Sequence, residues 1–304
     1  PEIYARIKEA VTRGQWLVEG GMWVEADTNV SSGESLIRQF LHGKRYFKDE
    51  FSVESELMWL PDVFGYSGAL PQIMAGCGIN YFSTQKIFWV YHGGDLFPYH
   101  TFWWEGIDGT RVLSHIHNDY NSQTNPGTLM ERWKGRVQKD GLTGRMLPFG
   151  YGDGGGGPTR HHLEYLRRQQ DLEGAPKCVI AGPVEYMRHD EGSSFPWPTY
   201  VGELYFQNHR GTYTTQSKTK RGNRKSEFAL REAEMWGAAA TVRTPYAYPL
   251  AEMDEVWKGV LLNQFHDIIP GSSIHRVYEE AEALYTEVIA TAEKNTGAAA
   301  KALL

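Results

Sequence analysis

Cysteine is nearly absent from this sequence. Cys77 and Cys178 are the only two, and they form no C-x-x-C or similar ligand spacing. A thiolate metal site is thereby excluded, and a chain this poor in cysteine needs no oxidising compartment, so the expected location is cytoplasmic. No apolar run approaches the ~20 residues of a membrane-spanning helix, which leaves the membrane out as a partner, and no signal-peptide pattern is visible. Basic charge is not in excess either. A net charge of −6 and a pI near 6.0 argue against nucleic acid, because phosphate binding needs a basic face. There are no internal repeats, and no low-complexity tract beyond the glycines of 154–157.

What is present suits a globular protein. The 304 residues are 41% hydrophobic and 22% charged, enough for one large or two ordinary domains with a sizeable core. Aromatic residues are abundant, with 10 Trp, 17 Tyr and 13 Phe. They fit a well-filled core, and equally a sugar site in which flat rings stack on pyranose C–H faces; the count alone does not separate the two. Helical spacing runs over 3–15, and 16–20 reads as a short strand. Ser32 and Glu34 start a helix through Phe40. Leu57-Met-Trp-Leu60 reads as a buried strand broken at Pro61, followed by a helix over 70–75 and a strand at 81–83. A hairpin turns at Asp108-Gly109 between 102–105 and 111–115. Helices are expected over 130–139 and 159–170, and a strand over 178–181. Beyond about residue 199 the strand signal vanishes, and 224–242, 250–265 and 273–304 carry helical spacing. This pattern predicts an α/β domain over 1–199, with a mostly parallel sheet, followed by a three-helix bundle over 200–304.

Several side chains are placed for chemistry. Asp62 follows a buried strand, at the carboxyl edge where α/β folds hold their sites, although an Asp beside Pro61 and Gly65 also suits a plain turn. His266, followed by Asp267 and Pro270-Gly271, marks a helix end. Asp153 lies among six glycines, either as a turn former or as a carboxyl group that a ligand can approach closely. The same loop spells Gly150-x-Gly152-x-x-Gly155, the dinucleotide pattern, with Glu185 as a ribose-binding acid; Pro148 weakens it, and the Gly-Lys-Ser/Thr ending of a P-loop is missing. His115-Ile-His117 with Asp119 is a possible metal pair on a strand. His161-His162, opening a helix, reads as surface.

A series of motifs carries a resemblance. Trp23-Val-Glu-Ala-Asp-Thr-Asn29 with Gly33-Glu34, Trp59-Leu-Pro-Asp62-Val-Phe64-Gly-Tyr66, Ser83-Thr-Gln-Lys86, Gly152-Asp153, Gly202-Glu203-Leu204, His209-Arg-Gly-Thr-Tyr213 and Gln264-Phe-His266-Asp267 occur in this order. The chain resembles the class II α-mannosidases of glycoside hydrolase family 38, its cytosolic and bacterial members most. The resemblance implies a partial barrel-like α/β catalytic domain followed by a three-helix domain. It also implies a retaining, zinc-dependent α-mannosidase acting on mannose-containing oligosaccharides or glycosides. Asp62 would be nucleophile and zinc ligand, Asp153 the acid/base, and His266 a second zinc ligand. Phe64, Lys86 and Asp267 would contact the sugar. Cytosolic relatives often assemble, so a homo-oligomer is expected.

That family also uses a His-x-Asp zinc pair on its first strand, upstream of this region, and no such pair occurs near residue 1; its β-domains after the helices are missing as well. The chain is therefore expected to be a fragment of a longer enzyme that binds zinc poorly alone. Three other classes stay open: a nicotinamide-dependent oxidoreductase using the 150–157 loop, a non-catalytic sugar-binding module, and a metal-dependent carbohydrate deacetylase.

Overall fold

The computed structural model describes residues 2–90 and 94–304. Two compact units are present. The first combines the residues up to Gly21 with Glu50–Asn208; the second combines Met22–Asp49 with His209–Leu304.

The first unit is built on a five-stranded sheet of order β1-β2-β4-β3-β5, with β1 at Leu57–Trp59, β2 at Tyr81–Thr84, β3 at Thr101–Glu105, β4 at Arg111–Ile116 and β5 at Thr199–Val201. Three of its pairings are parallel; only the β3–β4 hairpin is antiparallel. The fold is thus α/β with a mostly parallel sheet. Helix α1 spans Glu2–Thr12, α3 Leu70–Gly76, α4 Pro126–Lys134, α5 Arg160–Arg168 and α6 Pro183–Glu191. A parallel β1–β2 pair needs a crossover, and α3 provides it. The central strands are buried on both faces, as parallel sheets require. On one face Leu57, Tyr81 and Leu113 pack with Met187 of α6 and Trp197. On the other, Phe82 lies between Tyr66 and Trp104, with ring centroids 5.0 Å away on each side.

The second unit holds helix α2 (Gly33–Phe51, its last two residues belonging to the first unit) and the helices α7 (Ser217–Arg243), α8 (Leu250–Leu262) and α9 (His275–Leu303). Ser32 caps α2, accepting from the Ser35 N–H at 3.2 Å. Leu230 and Ala233 of α7, Trp257 and Val260 of α8, and Val288 and Ala292 of α9 form one core. Trp257 is its largest member; its ring N–H donates to Glu234 at 2.8 Å and Arg38 lies over its face at 4.1 Å. Among the described residues no helix is long and apolar enough to cross a membrane.

Four local expectations are corrected. The segment 16–20 is not a strand: only Gly20 bridges Met58, and Gly20 and Gly21, at φ +123° and +79°, turn the chain away from extended backbone. The segment 178–181 is not one either. Val179 and Ile180 are exposed, and the prolines at 176 and 183 remove donors on either side. The helix expected over 130–139 starts earlier, where the Asn125 side chain accepts from the Thr128 N–H at 3.0 Å and Pro126 takes the first helical turn, and it ends at Gly135. His162 is buried rather than on the surface, because its Nδ1 accepts the Thr159 N–H at 3.1 Å and closes the start of α5. Helix α6 and strand β5 carry no signal strong enough for the sequence to announce them.

Besides His162, three histidines lie buried among the described residues of the first unit, His100, His115 and His117. Burial, aided by the charge of Arg145, pushes His100 and His117 down from an ordinary value of 6.5 to about 4, and pushes His115 well below its ordinary value. The unfolded chain therefore binds protons that the native one refuses. Stability is present in full above pH ~6.5 and falls as the pH drops through ~4. The urea midpoint should decline over that window, and less steeply in His117→Asn, which keeps a donor for the Asp119 carbonyl; an unchanged slope in the variant would place the proton uptake elsewhere. In the second unit, Trp257→Ala should cost about 3–5 kcal/mol, read as a lowered urea midpoint of the helical signal, and a loss below about 1 kcal/mol would mean that α7, α8 and α9 do not depend on this residue.

Candidate active site

Asp62 stands three residues past the end of β1, and Lys86 two past the end of β2, so both project from the carboxyl edge of neighbouring parallel strands. The loop between them and the sheet is latched from within. The Tyr66 hydroxyl lies 2.9 Å from the Leu60 carbonyl and 3.1 Å from that of Val63, and it contacts the Thr84 hydroxyl, which itself donates to Leu60 at 2.8 Å. Backbone bonds between Tyr66 and Leu204 tie down the far side of the turn.

Lys86 is almost wholly buried, with 5% of its side chain exposed, and its ammonium is ion-paired with the Asp62 carboxylate. The same ammonium lies 3.6 Å above the Trp89 ring and 6.0 Å from that of Phe64. Trp89 is aimed by its ring N–H, which donates to Gln85 at 2.7 Å. Phe64 packs against Phe206, with centroids 6.3 Å apart. The result is a carboxylate with its countercharge, walled by flat rings. Asp62, Phe64 and Lys86 are therefore brought together. Trp89 was missed; its signal was an aromatic three residues after a lysine in a short 3-10 turn.

Asp153 is exposed, on a loop that folds back on itself. Tyr151 and Gly157 exchange two backbone bonds of 2.8 Å, and Asp153 between them adopts φ +51°, a left-handed conformation uncommon outside glycine. Its carboxylate accepts from the Tyr120 hydroxyl at 2.8 Å. Tyr120 follows β4, the third neighbouring strand on the same carboxyl edge. Nothing in the sequence had singled it out. The dinucleotide pattern finds no strand beneath it: 146–149 makes only an isolated bridge, Phe149 to Ser122, before the loop, so the strand-turn-helix setting is missing.

His266 and Asp267 belong to the second unit, just beyond α8. Here 25–27 runs alongside 264–266: the His266 N–H donates to Glu25 at 3.0 Å and the Asp27 N–H to Gln264 at 2.8 Å. The His266 ring also donates from Nδ1 to the Glu25 carbonyl at 3.0 Å, since a carbonyl only accepts. In the neutral ring the lone pair is then on Nε2, the arrangement that orients imidazole as a metal ligand. Asp267 is half exposed and accepts from Ser272 at 2.7 Å. The two tyrosine- and aspartate-bearing motifs meet as well. Asp27 is fully buried and accepts from the N–H groups of Asn29 and Val30 at 2.9 and 2.7 Å and from the Tyr213 hydroxyl at 3.0 Å. Burial pushes its carboxyl up, and these donors pull it back.

The donor types at Asp62 and His266 suit zinc, but their number does not. A catalytic zinc takes about three protein ligands, and among the described residues no group of three or more His, Cys, Asp or Glu could hold a metal. The His115–His117 pair does not supply one: among the described residues it is not joined by a third His, Cys, Asp or Glu in a group that could hold a metal, and Arg145 adds positive charge nearby.

Residues 1–203 match the glycosyl hydrolases family 38 N-terminal domain, and residues 207–303 the alpha mannosidase middle domain. The chain is 42% identical to Alpha-mannosidase 2C1 of Homo sapiens over 306 residues, covering 100% of this chain and 29% of that protein. It is 43% identical to Alpha-mannosidase G of Dictyostelium discoideum over 291 residues, covering 95% and 26%. It thus spans less than a third of the curated relatives' length. The crystal structure of an alpha-mannosidase from Enterococcus faecalis V583 superposes with a TM-score of 0.85 over 100% of this chain and 36% of that one; at 21% identity the likeness is one of fold. The match of residues 1–203, more than half of the chain, to the family's N-terminal domain places this chain in glycosyl hydrolase family 38.

Proposed function

We propose that this chain carries catalytic residues of a retaining α-mannosidase that removes terminal α-mannosyl residues from oligosaccharides or glycosides. The relatives named above are alpha-mannosidases. The observation that carries the reading is the Asp62–Lys86 pair at the carboxyl edge of β1 and β2, walled by Phe64 and Trp89.

In this reading the Asp62 carboxylate attacks the anomeric carbon, and the glycosidic C–O bond breaks as a glycosyl ester forms. Asp153 gives its proton to the departing oxygen, then takes one from the water that hydrolyses the ester. Its exposure on a glycine loop suits a group that must meet both a leaving group and a water. Tyr120 fixes which way its carboxyl group faces. Lys86 offsets the charge of Asp62 while the sugar excludes water, and the rings of Phe64 and Trp89 stack on the pyranose. Asp267 accepts hydrogen bonds from sugar hydroxyls.

Zinc is part of the proposal for the whole enzyme, with Asp62 and His266 as two of its ligands; bound there it would hold sugar hydroxyls and steady developing charge. We place the enzyme in the cytoplasm, on the scarcity of cysteine in its sequence, and expect it to assemble as a homo-oligomer.

In the full-length enzyme, Asp62→Gly should lower turnover of 4-nitrophenyl α-mannoside by about ten-thousandfold, and azide should restore release of 4-nitrophenol with β-mannosyl azide as product. Hydrolysis near the wild-type rate would remove Asp62 from the role. Gly150→Ala tests the loop that holds Asp153. A Cβ there would meet the Gly157 carbon and the Pro158 nitrogen at 2.5 Å, at a φ of +111°. Its kcat/KM should fall by about a hundredfold without change in the far-ultraviolet circular dichroism; wild-type activity would mean that the loop's geometry is not needed.

A further inference from the structure

The second unit carries a lysine to which the chemistry above gives no part. Lys220 stands in the first turn of α7, half-buried. Its ammonium donates to three carbonyls, those of Thr212 at 3.1 Å, Thr215 at 2.6 Å and Pro270 at 3.1 Å. An ammonium has three N–H groups, so each is matched by an acceptor. Burial pushes Lys220 down, and the charge of Asp27 nearby pulls it back up. A cation at the start of a helix opposes the helix dipole, so α7 itself gains nothing from this lysine. Its use lies in the segments that it joins.

Two turns meet at the ammonium. One is the 3-10 turn Arg210–Thr214. His209 before it and Gln216 after it are both left-handed, at φ +60° and +49°, a strain that persists where the surroundings fix the chain. The other is the turn that follows His266 and Asp267. Within it the Asp267 carbonyl accepts from the Ser272 N–H at 3.2 Å and the Ser273 hydroxyl at 2.8 Å, and the Asp267 carboxylate accepts from the Ser272 hydroxyl at 2.7 Å. The two turns are in close contact, since a Cβ on Gly271 would run into the Thr215 hydroxyl.

The 3-10 turn is anchored on a second side. The Tyr213 hydroxyl donates to the Asp27 carboxylate at 3.0 Å and accepts from the Asn29 side chain at 3.1 Å. Asp27 belongs to the strip 25–27 that runs alongside 264–266. Residues 210–215 thus brace both flanks of His266-Asp267, through Tyr213 on the strip beside them and through Lys220 on the turn after them.

We propose that Lys220 is a positioning residue for substrate binding. By gathering the carbonyls of Thr212, Thr215 and Pro270 on one ammonium, it holds the turn 267–273 in the place from which the Asp267 carboxylate meets the sugar hydroxyls. The proposal rests on the reading of Asp267 as a sugar contact and adds the group that acts through it.

The test is a double-mutant cycle in the full-length enzyme, read as kcat/KM for 4-nitrophenyl α-mannoside. Lys220→Met keeps the reach of the side chain and removes its donors. It should lower kcat/KM by about a hundredfold, the effect of a misplacement near ~1 Å. In an enzyme that already carries Asp267→Ala, the same change should cost less than about threefold, because the group that it positions is gone. A lysine that merely stabilised the fold would cost the same factor in both backgrounds. Equal losses, or wild-type kcat/KM in Lys220→Met, overturn the proposal. If the Met variant loses its helical circular dichroism, Lys220→Gln, which keeps one N–H₂ group, takes its place and the same comparison decides. Wild-type hydrolysis by Asp267→Ala alone removes Asp267 from the site and this proposal with it, and leaves the roles of Asp62 and Asp153 standing. No hydrolysis of any α-mannoside by the unaltered full-length enzyme overturns the mannosidase reading, and this proposal with it.

Discussion

A lysine with almost no exposed surface must be given a counter-ion, and in this chain the counter-ion is Asp62. Much of the first unit's site follows from that requirement. The pair can form only if the ends of β1 and β2 are adjacent and point the same way, which the parallel crossover through α3 arranges. The turn between Leu60 and Tyr66 cannot drift, because the Tyr66 and Thr84 hydroxyls hold its carbonyls. Lys86 in turn needs a surface for its ammonium, which the Trp89 face provides. The carboxylate to which we assign the chemistry is thus also a structural member, held at a fixed place and with its charge balanced by Lys86.

The second unit solves a related problem by different means. His266 and Asp267 come from a helix end, which is intrinsically loose, and the protein stiffens it by pairing 264–266 with 25–27 and by filling the space behind with buried amides and acids. Gln264 donates to Asn223 at 2.9 Å and to Glu227 at 3.2 Å, and Gln39 donates to the Leu261 carbonyl at 2.9 Å. Such a network is specific only when its members are satisfied, and it directs the His266 ring through a backbone carbonyl rather than a mobile side chain.

How much of this was readable beforehand follows the range of the interactions. Strands β1 and β2, the hairpin at Asp108-Gly109 and the three long helices are written in local periodicity and turn chemistry, and they were legible. The position of Asp62 at the sheet edge was legible too, since a strand that stops at Pro61 says where its edge lies. The segments 16–20 and 178–181 misled because apolar runs do not record whether a hydrogen-bonding neighbour exists. Strand β5 has only three residues and exists because β3 offers it an edge, which is information stored about a hundred residues away. Tyr120 and Trp89 escaped notice for the same reason: one is defined by its distance to Asp153, the other by its position over Lys86, and neither has a pattern of its own. His162 looked like surface because a histidine closing a helix N-terminus is the less usual choice.

The left-handed backbone at Asp153 has an evolutionary side. Most L-residues are strained there, whereas glycine is at ease, and the position is already surrounded by glycines. Exchange of this aspartate for glycine is therefore a change that would relax the chain while removing the carboxyl group. In the role we propose for Asp153, stability alone would favour a silent descendant of this protein, folded and unreactive, one substitution away. The acid would then be a cost borne against the fold's own preference, and the loop the place where drift toward a non-enzymatic relative would meet the least resistance.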